Sequence, residues 1–547
     1  MSNLAELLKT GRHEELWSRC CGFIDLSIDE FMRIQRQLLL EQIELLKKCE
    51  LGQYVMRGLS PRNVDEFRQL IPMTTYEDYA PFLLKRKMKG LPRKPTLWQY
   101  TSGKSGEYAY RWVPVTDRQL DEIEPLIFAL LLFSTCKRRG EVTFKEFDKF
   151  LYGMAPPPYA TGTMARVFPY ELLRVLPPME KAENLTFEER IREGFDEALT
   201  EGLDLCIALS SVVVAIGNRF SERSGKTDIR PLLKRPRALT RLAKAMIKSR
   251  LAHRPMLPKD LWSPKGIITF GIDGSVYREK IKDMWGRYPL DFHGCTEAVM
   301  IAMQTWDYQG MTFIPHLNFF EFIPEEEAIK SRQDPAYQPK TLLLDQVKPG
   351  NYELVITSFH GGPFVRYRLG HLIQITSLRN ERLNIDIPQM VFLTRVDDQI
   401  DIAGFTRLSE KIIWQAIENS GVSYVDWVVR KEVQDRPVLN LYIELKGNQN
   451  ITSQEISGLI HEELKKLDTP YAELESYIGL KPIKVTLLPK DAFVAYKLKQ
   501  QLDGATLERL NPPHVNPSNE ILDFLLSSAA HRVVTTSITR EQEEVEA

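Results

Sequence analysis

The segment Tyr100-Thr-Ser-Gly-Lys-Ser-Gly-Glu107 sets hydroxyl side chains and two glycines next to each other. Glycine tolerates positive φ and close approach, so such a loop can turn N–H groups and hydroxyls toward phosphate oxygens. An ordinary surface turn is the other reading. A Walker A loop is excluded, because that motif needs glycine five positions before its Gly-Lys pair and this chain has Trp98 there. His293-Gly-Cys-Thr-Glu297-Ala follows a strand-like run and sets a hydroxyl beside a carboxylate. Glu is a hard oxygen ligand suited to Mg²⁺, and Thr can reach a phosphate or simply cap a helix.

Val365-Arg-Tyr-Arg-Leu-Gly-His371 holds two arginines one residue apart. In a strand they share a face, where they either clamp a phosphate or pair with carboxylates. Thr394-Arg-Val-Asp-Asp-Gln-Ile400-Asp-Ile-Ala-Gly404-Phe-Thr-Arg-Leu-Ser-Glu410 reads as a charged, Gly-punctuated crossing between domains, a place where hinges occur. Phe313 to Pro324 is strongly aromatic and reads most simply as a buried strand pair.

These segments need a scaffold, and 547 residues at roughly 150 per domain allow two to four domains. Phe31, Ile34, Leu38, Ile43 and Leu46 fall near a 3.6-residue period and predict a packing helix. From Thr74 to about Ala403 apolar runs alternate with helical patterns, as in Lys265–Gly271 followed by Ser275–Trp285, which predicts a large α/β domain. Beyond Asp397 the pattern predicts a helix at Ser409–Glu418, strands at Tyr424–Arg430 and Val438–Leu445, a helix at Ser453–Leu467 and a strand at Ile483–Leu488. The division expected is therefore 1–395 as a large N-terminal domain, 396–526 as a small α+β domain, and 527–547 as a disordered acidic tail.

With 72 Lys plus Arg against 73 Asp plus Glu the net charge is -1, so there is no global field for nucleic acid or an anionic membrane. Any anion must be held locally. The six cysteines lack metal-ligand spacing and read as thiols. The first fifteen residues lack the apolar run of a signal peptide, and the longest apolar stretch, Cys206–Gly217, falls short of the ~20 residues that cross a bilayer. A cytoplasmic protein is expected, and the sequons at Asn184 and Asn450 carry no information without a secretory route.

In order and spacing the set resembles the adenylate-forming superfamily of acyl-CoA ligases, luciferases and peptide-synthetase adenylation domains. Within it, Arg366-Tyr-Arg-Leu-Gly370, Asn318-Phe-Phe-Glu-Phe-Ile-Pro324 and Pro72-Met-Thr-Thr-Tyr-Glu-Asp78 are similar to the auxin-responsive acyl-acid amido synthetases and their bacterial relatives. The resemblance spans about Leu16 to Leu526. It implies that ATP and a carboxylic acid form an acyl adenylate and pyrophosphate, after which an amine, usually of an amino acid, displaces AMP. CoA is the less favoured acceptor.

The resemblance also implies roles. Thr101, Ser102, Gly103, Lys104, Ser105 and Gly106 would wrap the phosphates of ATP, and Arg111 would stand where relatives carry lysine. Thr296 and Glu297 would meet the α-phosphate and Mg²⁺. Asp273, Gly274 and Gly294 would line the adenine and acyl slot, Arg368 and His371 would face the nucleotide, and Arg395 would contact it near a hinge at Arg395–Asp398. Three positions depart from the pattern: His371 replaces a ribose-binding Asp, Lys104 a small hydroxyl, and Asn511 a lysine that bridges carboxylate and phosphate. Lys497 and Lys499 are the available substitutes for that lysine. The competing expectation is a catalytically weakened relative that binds a nucleotide or acyl ligand.

Overall fold

The computed structural model describes residues 3–102, 110–154, 158–182, 185, 187–222, 235–271, 274–334, 337–395, 399–402, 406–433, 437–447, 449–478, 481–502 and 512–527. They fall into two compact units, one drawn from Met1–Thr101 and Tyr110–Val396, the other from Ser102–Ala109 and Asp397–Ala547. Among the expected site residues, Gly103, Lys104, Ser105, Gly106, Asp273 and Asn511 lie outside the described residues, as do 396–398 of the expected hinge and 528–547 of the expected tail.

The first unit opens on helices and a hairpin, β1 (Leu97–Ser102) and β2 (Tyr110–Val115). Its core is a sheet of eleven strands: β3 (Asp148–Gly153), β4 (Leu173–Leu176), β5 (Leu205–Leu209), β6 (Gly266–Phe270), β7 (Leu290–His293), β8 (Ala302–Met303), β9 (Met311–Phe313), β10 (Asn318–Pro324), β11 (Gly350–Ser358), β12 (Tyr367–Ser377) and β13 (Gln389–Arg395). Their spatial order is β10-β11-β12-β13-β9-β8-β7-β6-β5-β3-β4. From β4 to β7 all pairings are parallel, and from β7 onward all are antiparallel. Parallel strands need covering on both faces, and β5 is buried along its whole length. The apolar run from Cys206 is thus split between β5 and the helix Ser210–Glu222, and no described helix is long and apolar enough to cross a membrane.

The helix Ile28–Leu46 forms where the periodicity places it, started by a reciprocal Ser27–Glu30 capping box. Its buried stripe is turned from the apolar reading. Gln35, Leu39 and Gln42 are buried, whereas Ile34 and Leu38 are only half-buried. The two glutamines satisfy main-chain groups that would otherwise be orphaned: Gln35 donates to the Pro315 and Asn318 carbonyls and accepts from Phe320 N, while Gln42 brackets Gly361 N and Gly362 O. The aromatic run from Phe313 is buried, but as two separated strands rather than a pair. β9 lies between β8 and β13, and β10 lies at the sheet edge on β11.

The second unit contains the hairpin β14 (Gln399–Ile402) and β15 (Thr406–Ser409) and a sheet of β16 (Tyr424–Val433), β17 (Pro437–Leu445) and β18 (Ile483–Leu487). The helices Glu410–Asn419 and Ser453–Leu467 arise where the sequence predicts them. Val428 and Tyr442 of the sheet share a core with Ala492, Phe493 and Tyr496 of the helix Ala492–Leu502, and with Leu522 and Leu525 of the helix Asn519–Leu526.

Candidate active site

In open α/β sheets, ligands settle beyond the carboxyl ends of parallel strands where the winding changes. Here that place is the end of β7, the last parallel strand, and the loop His293–Met300 leaves it. The loop folds back tightly: Val299 N donates to Cys295 O (2.7 Å) and Ile301 N to His293 O (2.9 Å). A Cβ on Gly294 would lie 2.1 Å from the Val299 carbonyl oxygen, so only glycine fits. Asn318 of β10 pins the loop from outside, donating to Ala298 O at 2.8 Å.

Gln99 of β1 is buried and donates its side-chain amide to Thr296 O at 2.9 Å. The strand that runs into Thr101 and Ser102 is thereby tied to the loop that carries Glu297. Glu297 is 6% exposed, and no described residue gives its carboxylate a hydrogen bond or an ion pair. A carboxylate that no described donor engages is available to an external cation. Among the described residues no three His, Cys, Asp or Glu side chains converge as metal ligands, so protein coordination there would come from Glu297 with phosphate and water filling the rest, the usual Mg²⁺ arrangement.

A cavity of about 150 Å³ adjoins the loop, lined in part by Gly271, Arg278, Asp291, His293 and Phe392. Asp291 and His293 are two apart in β7 and so share a face. The Asp291 oxygen Oδ1 is shut away from solvent and has no hydrogen-bond partner, and enclosure raises the carboxyl to about 8, opposed by Phe292 N–H and Arg278. Enclosure thus favours the protonated side chain, which is able to donate. Strand alternation could have pointed to Asp291. Gln99 and Phe392 carried no local signal.

His371 is 2% exposed, and its Nδ1 meets His293 Nε2 at 3.0 Å. One ring donates and the other accepts. The His293 ring stacks on Phe392 at 4.6 Å, and His371 meets the same ring edge-on. His371 and Arg395 are register partners across β12 and β13, so these positions do come together. The turn of chain is made by Gly370, whose φ of 66° sits in a bulge that shifts the β11–β12 register after Leu354.

Arg368 is a correction. Its guanidinium binds Glu353 through Nε (2.7 Å) and Nη2 (2.6 Å) and Ser331 through Nη1 (2.8 Å). Arg366 likewise grips Glu321 through two nitrogens and gives the third to the Arg68 and Ile71 carbonyls. Both forks are committed to carboxylates, so the pairing alternative holds and neither offers a phosphate clamp. The early Thr74 belongs to the same clamp: it forms a parallel bridge to Tyr367 and donates its hydroxyl to Val365 O. Arg111 lies in β2 with its guanidinium 5.3 Å from the Tyr76 ring centre. Gly274 opens the helix Gly274–Trp285. Lys497 is exposed, and Lys499 stands 4.8 Å over the Phe524 ring, both in the second unit.

Residues 21–151 match the GH3 family N-terminal domain, and residues 311–395 match the GH3 family central domain. The first match takes in the helix Ile28–Leu46, the strands β1 and β2 and Gln99, and the second takes in the Glu321–Arg366 and Glu353–Arg368 pairs. Over 236 residues it is 36% identical to the probable indole-3-acetic acid-amido synthetase GH3.11 of Oryza sativa subsp. japonica, covering 40% of this chain and 38% of that protein. The match thus spans under two fifths of that relative's length. The solved structure of the AtGH3.15 acyl acid amido synthetase in complex with 2,4-DB superposes with a TM-score of 0.51 at 17% identity, over 93% of this chain and 95% of that one. A 2-hydroxyisobutyryl-CoA ligase in complex with 2-HIB-AMP and CoA gives 0.50 at 14% identity, over 85% and 92%. At such identities these likenesses establish the fold, a large α/β part with a smaller second part.

Proposed function

We propose that this chain is an ATP-dependent ligase that activates a carboxylic acid as its acyl adenylate and transfers the acyl group to the amine of an amino acid. The observation that carries the reading is Glu297, a largely buried residue whose carboxylate no described residue engages, held in a loop that Gln99 ties to the strand carrying Thr101. The names of the rice relative and of the AtGH3.15 enzyme support the same chemistry.

In the first half-reaction a carboxylate oxygen attacks the α-phosphorus of ATP, the bond to the β-phosphate breaks, and pyrophosphate leaves. In the second, the amine nitrogen attacks the acyl carbon, loses a proton, and AMP departs. Adenylation replaces one oxyanion by another, so aligned donors and charge suffice and no protein nucleophile is needed. Thr296 would donate to the α-phosphate, the Thr101–Gly106 turn would hold the outer phosphates, and Glu297 would hold Mg²⁺. When bound, Mg²⁺ supplies positive charge against the phosphate oxygens. The neutral Asp291 carboxyl, in the cavity beside His293, would donate to the purine. The second unit would act as a lid turning about 395–398 between the two steps. A cytoplasmic setting accords with this chemistry.

Pyrophosphate exchange into ATP over a panel of carboxylic acids tests the reading. Exchange with at least one acid is expected, falling about 10²- to 10³-fold in Glu297→Gln. The second reading, a weakened relative that binds nucleotide without turnover, is favoured by His371, which is buried against His293 where relatives place a ribose-binding carboxylate. ATP binding with no exchange for any acid would establish that reading instead.

A further inference from the structure

A second cleft, of about 600 Å³, lies at the other end of β7. Arg287 and Tyr288 lie just before that strand, separated from it by Pro289, and Trp306 to Tyr308 follow the antiparallel β8. Because Phe292 pairs with Met303 and His293 with Ala302, the chain beyond Met303 runs back toward the start of β7, away from the His293–Glu297 loop. Lys137 and Arg382 complete the rim.

The lining is strongly one-signed. Lys137, Lys282, Arg287 and Arg382 face it with a single carboxylate, Asp307. Asp307 is already engaged: Oδ1 accepts from the Thr305 hydroxyl (2.9 Å) and Gln309 N (3.2 Å), and Oδ2 accepts from Asn380 (2.7 Å). None of the four cations makes an ion pair with an acidic side chain among the described residues. Arg287 is oriented by donating one terminal nitrogen to Ser134 O at 3.0 Å, and Lys282 is held 4.0 Å over the Tyr288 ring, with Arg278 4.7 Å over the same ring. Glu279, which accepts from the Tyr288 hydroxyl at 3.2 Å, and Asp283 act on Lys282 from outside the lining, and the lining itself sets four cations against one committed carboxylate, a local excess of positive charge in a concavity. Such concavities focus field and gather anions, and guanidinium forks match phosphate oxygens in shape.

We infer that this cleft binds a small polyphosphate anion, either inorganic or as the phosphate end of a nucleotide, at a site separate from the loop of Glu297. The inference does not depend on the proposed ligase activity, and its test reads occupancy rather than turnover.

The full chain is treated with an acetylating reagent in the presence of increasing tripolyphosphate, and modification of each lysine is followed by mass spectrometry. Lys137 and Lys282 are expected to be protected at concentrations that leave the exposed Lys348 untouched. In Arg382→Gln, which alters an exposed side chain and leaves folding intact, the half-protecting concentration should rise about tenfold. Arg287→Gln should give the larger rise. ADP in place of tripolyphosphate distinguishes the sources. Protection with quenching of Trp306 emission, absent in Trp306→Phe, assigns a nucleotide, and protection by tripolyphosphate alone assigns an inorganic anion. Equal protection of Lys348, meaning an adventitious ion only, or protection unchanged in Arg382→Gln, overturns the inference.

Discussion

The side-chain amide of Gln99 reaches across 197 positions of sequence to the main-chain carbonyl of Thr296. This bond joins β1, the strand that carries Thr101, to the loop that bears Glu297, and the Gln99 side chain is buried, so water cannot replace it without cost.

Gln99→Leu should therefore damage function more than stability. Leaving the Thr296 carbonyl unsatisfied costs about 1–3 kcal/mol, measurable by urea unfolding. Pyrophosphate exchange should fall about 10²-fold, because small displacements of positioning groups are costly in rate. An unchanged exchange rate would separate the tether from the chemistry.

Glu321→Ala should be severely destabilising, since it strands the buried Arg366 guanidinium. Breaking one side of such a pair costs about 3–5 kcal/mol. The corresponding change at Glu353 strands a less buried arginine and should cost less. For either variant that folds, ATP affinity per folded molecule should be unchanged, because these arginines hold strands together rather than phosphate. Calorimetry on the folded fraction checks this.

The Asp291 carboxyl gives a signed pH dependence. In the unfolded chain it ionises near its ordinary value of 3.8, whereas in the folded chain it holds its proton to about 8. Over that window the unfolded state gains by ionising and the folded state does not, so stability declines as pH rises and levels off above 8. Asp291→Asn should remove this component, leaving a flatter melting temperature between pH 5 and 9. If the wild type and the variant show parallel profiles, the carboxyl is already ionised in the fold.

His514 has the same sign from a different cause. Asp426, 3.0 Å from Nε2, and Glu410, 2.5 Å from Nδ1, raise its pKa above 6.5, with burial opposing them. Its ring stacks on Trp427 at 4.5 Å, and its segment is fixed to β16 through Val429, whose N donates to His514 O and whose O accepts from Asn516 N. The stabilisation is complete below 6.5 and is lost as pH rises through the raised value. Hydrogen exchange at Val429 and Asn516 should accelerate over that range beyond the intrinsic pH effect. His514→Gln should abolish the excess.

Legibility divided along physical lines. The helix Ser453–Leu467 and the strand β6 could be read from the chain because periodicity and capping are local, and local patterns survive folding unchanged. In Ile28–Leu46 the periodic Phe31, Ile43 and Leu46 are buried as read, but the stripe also takes in Gln35 and Gln42, which are polar by type yet are buried by the main-chain groups they serve. Arg368 drew attention as a phosphate ligand because a strand with two arginines looks alike in either role. Its carboxylate partner lies on the neighbouring strand, and only pairing register reveals it. Strand alternation puts Asp291 on the face of His293, but nothing local distinguishes a carboxyl that the fold will enclose.

The sequence by itself determined the order and kind of the elements, the glycine that the His293 loop requires, and the motif series shared with acyl-acid amido synthetases. The tertiary structure decided which residues of that series build the scaffold and which stay available for a ligand. A charged side chain is spent or free according to what stands within about 3 Å of it. Those neighbours, 45 residues away for Arg366 and Glu321 and 78 for His293 and His371, are chosen by strand order and not by anything adjacent in the chain.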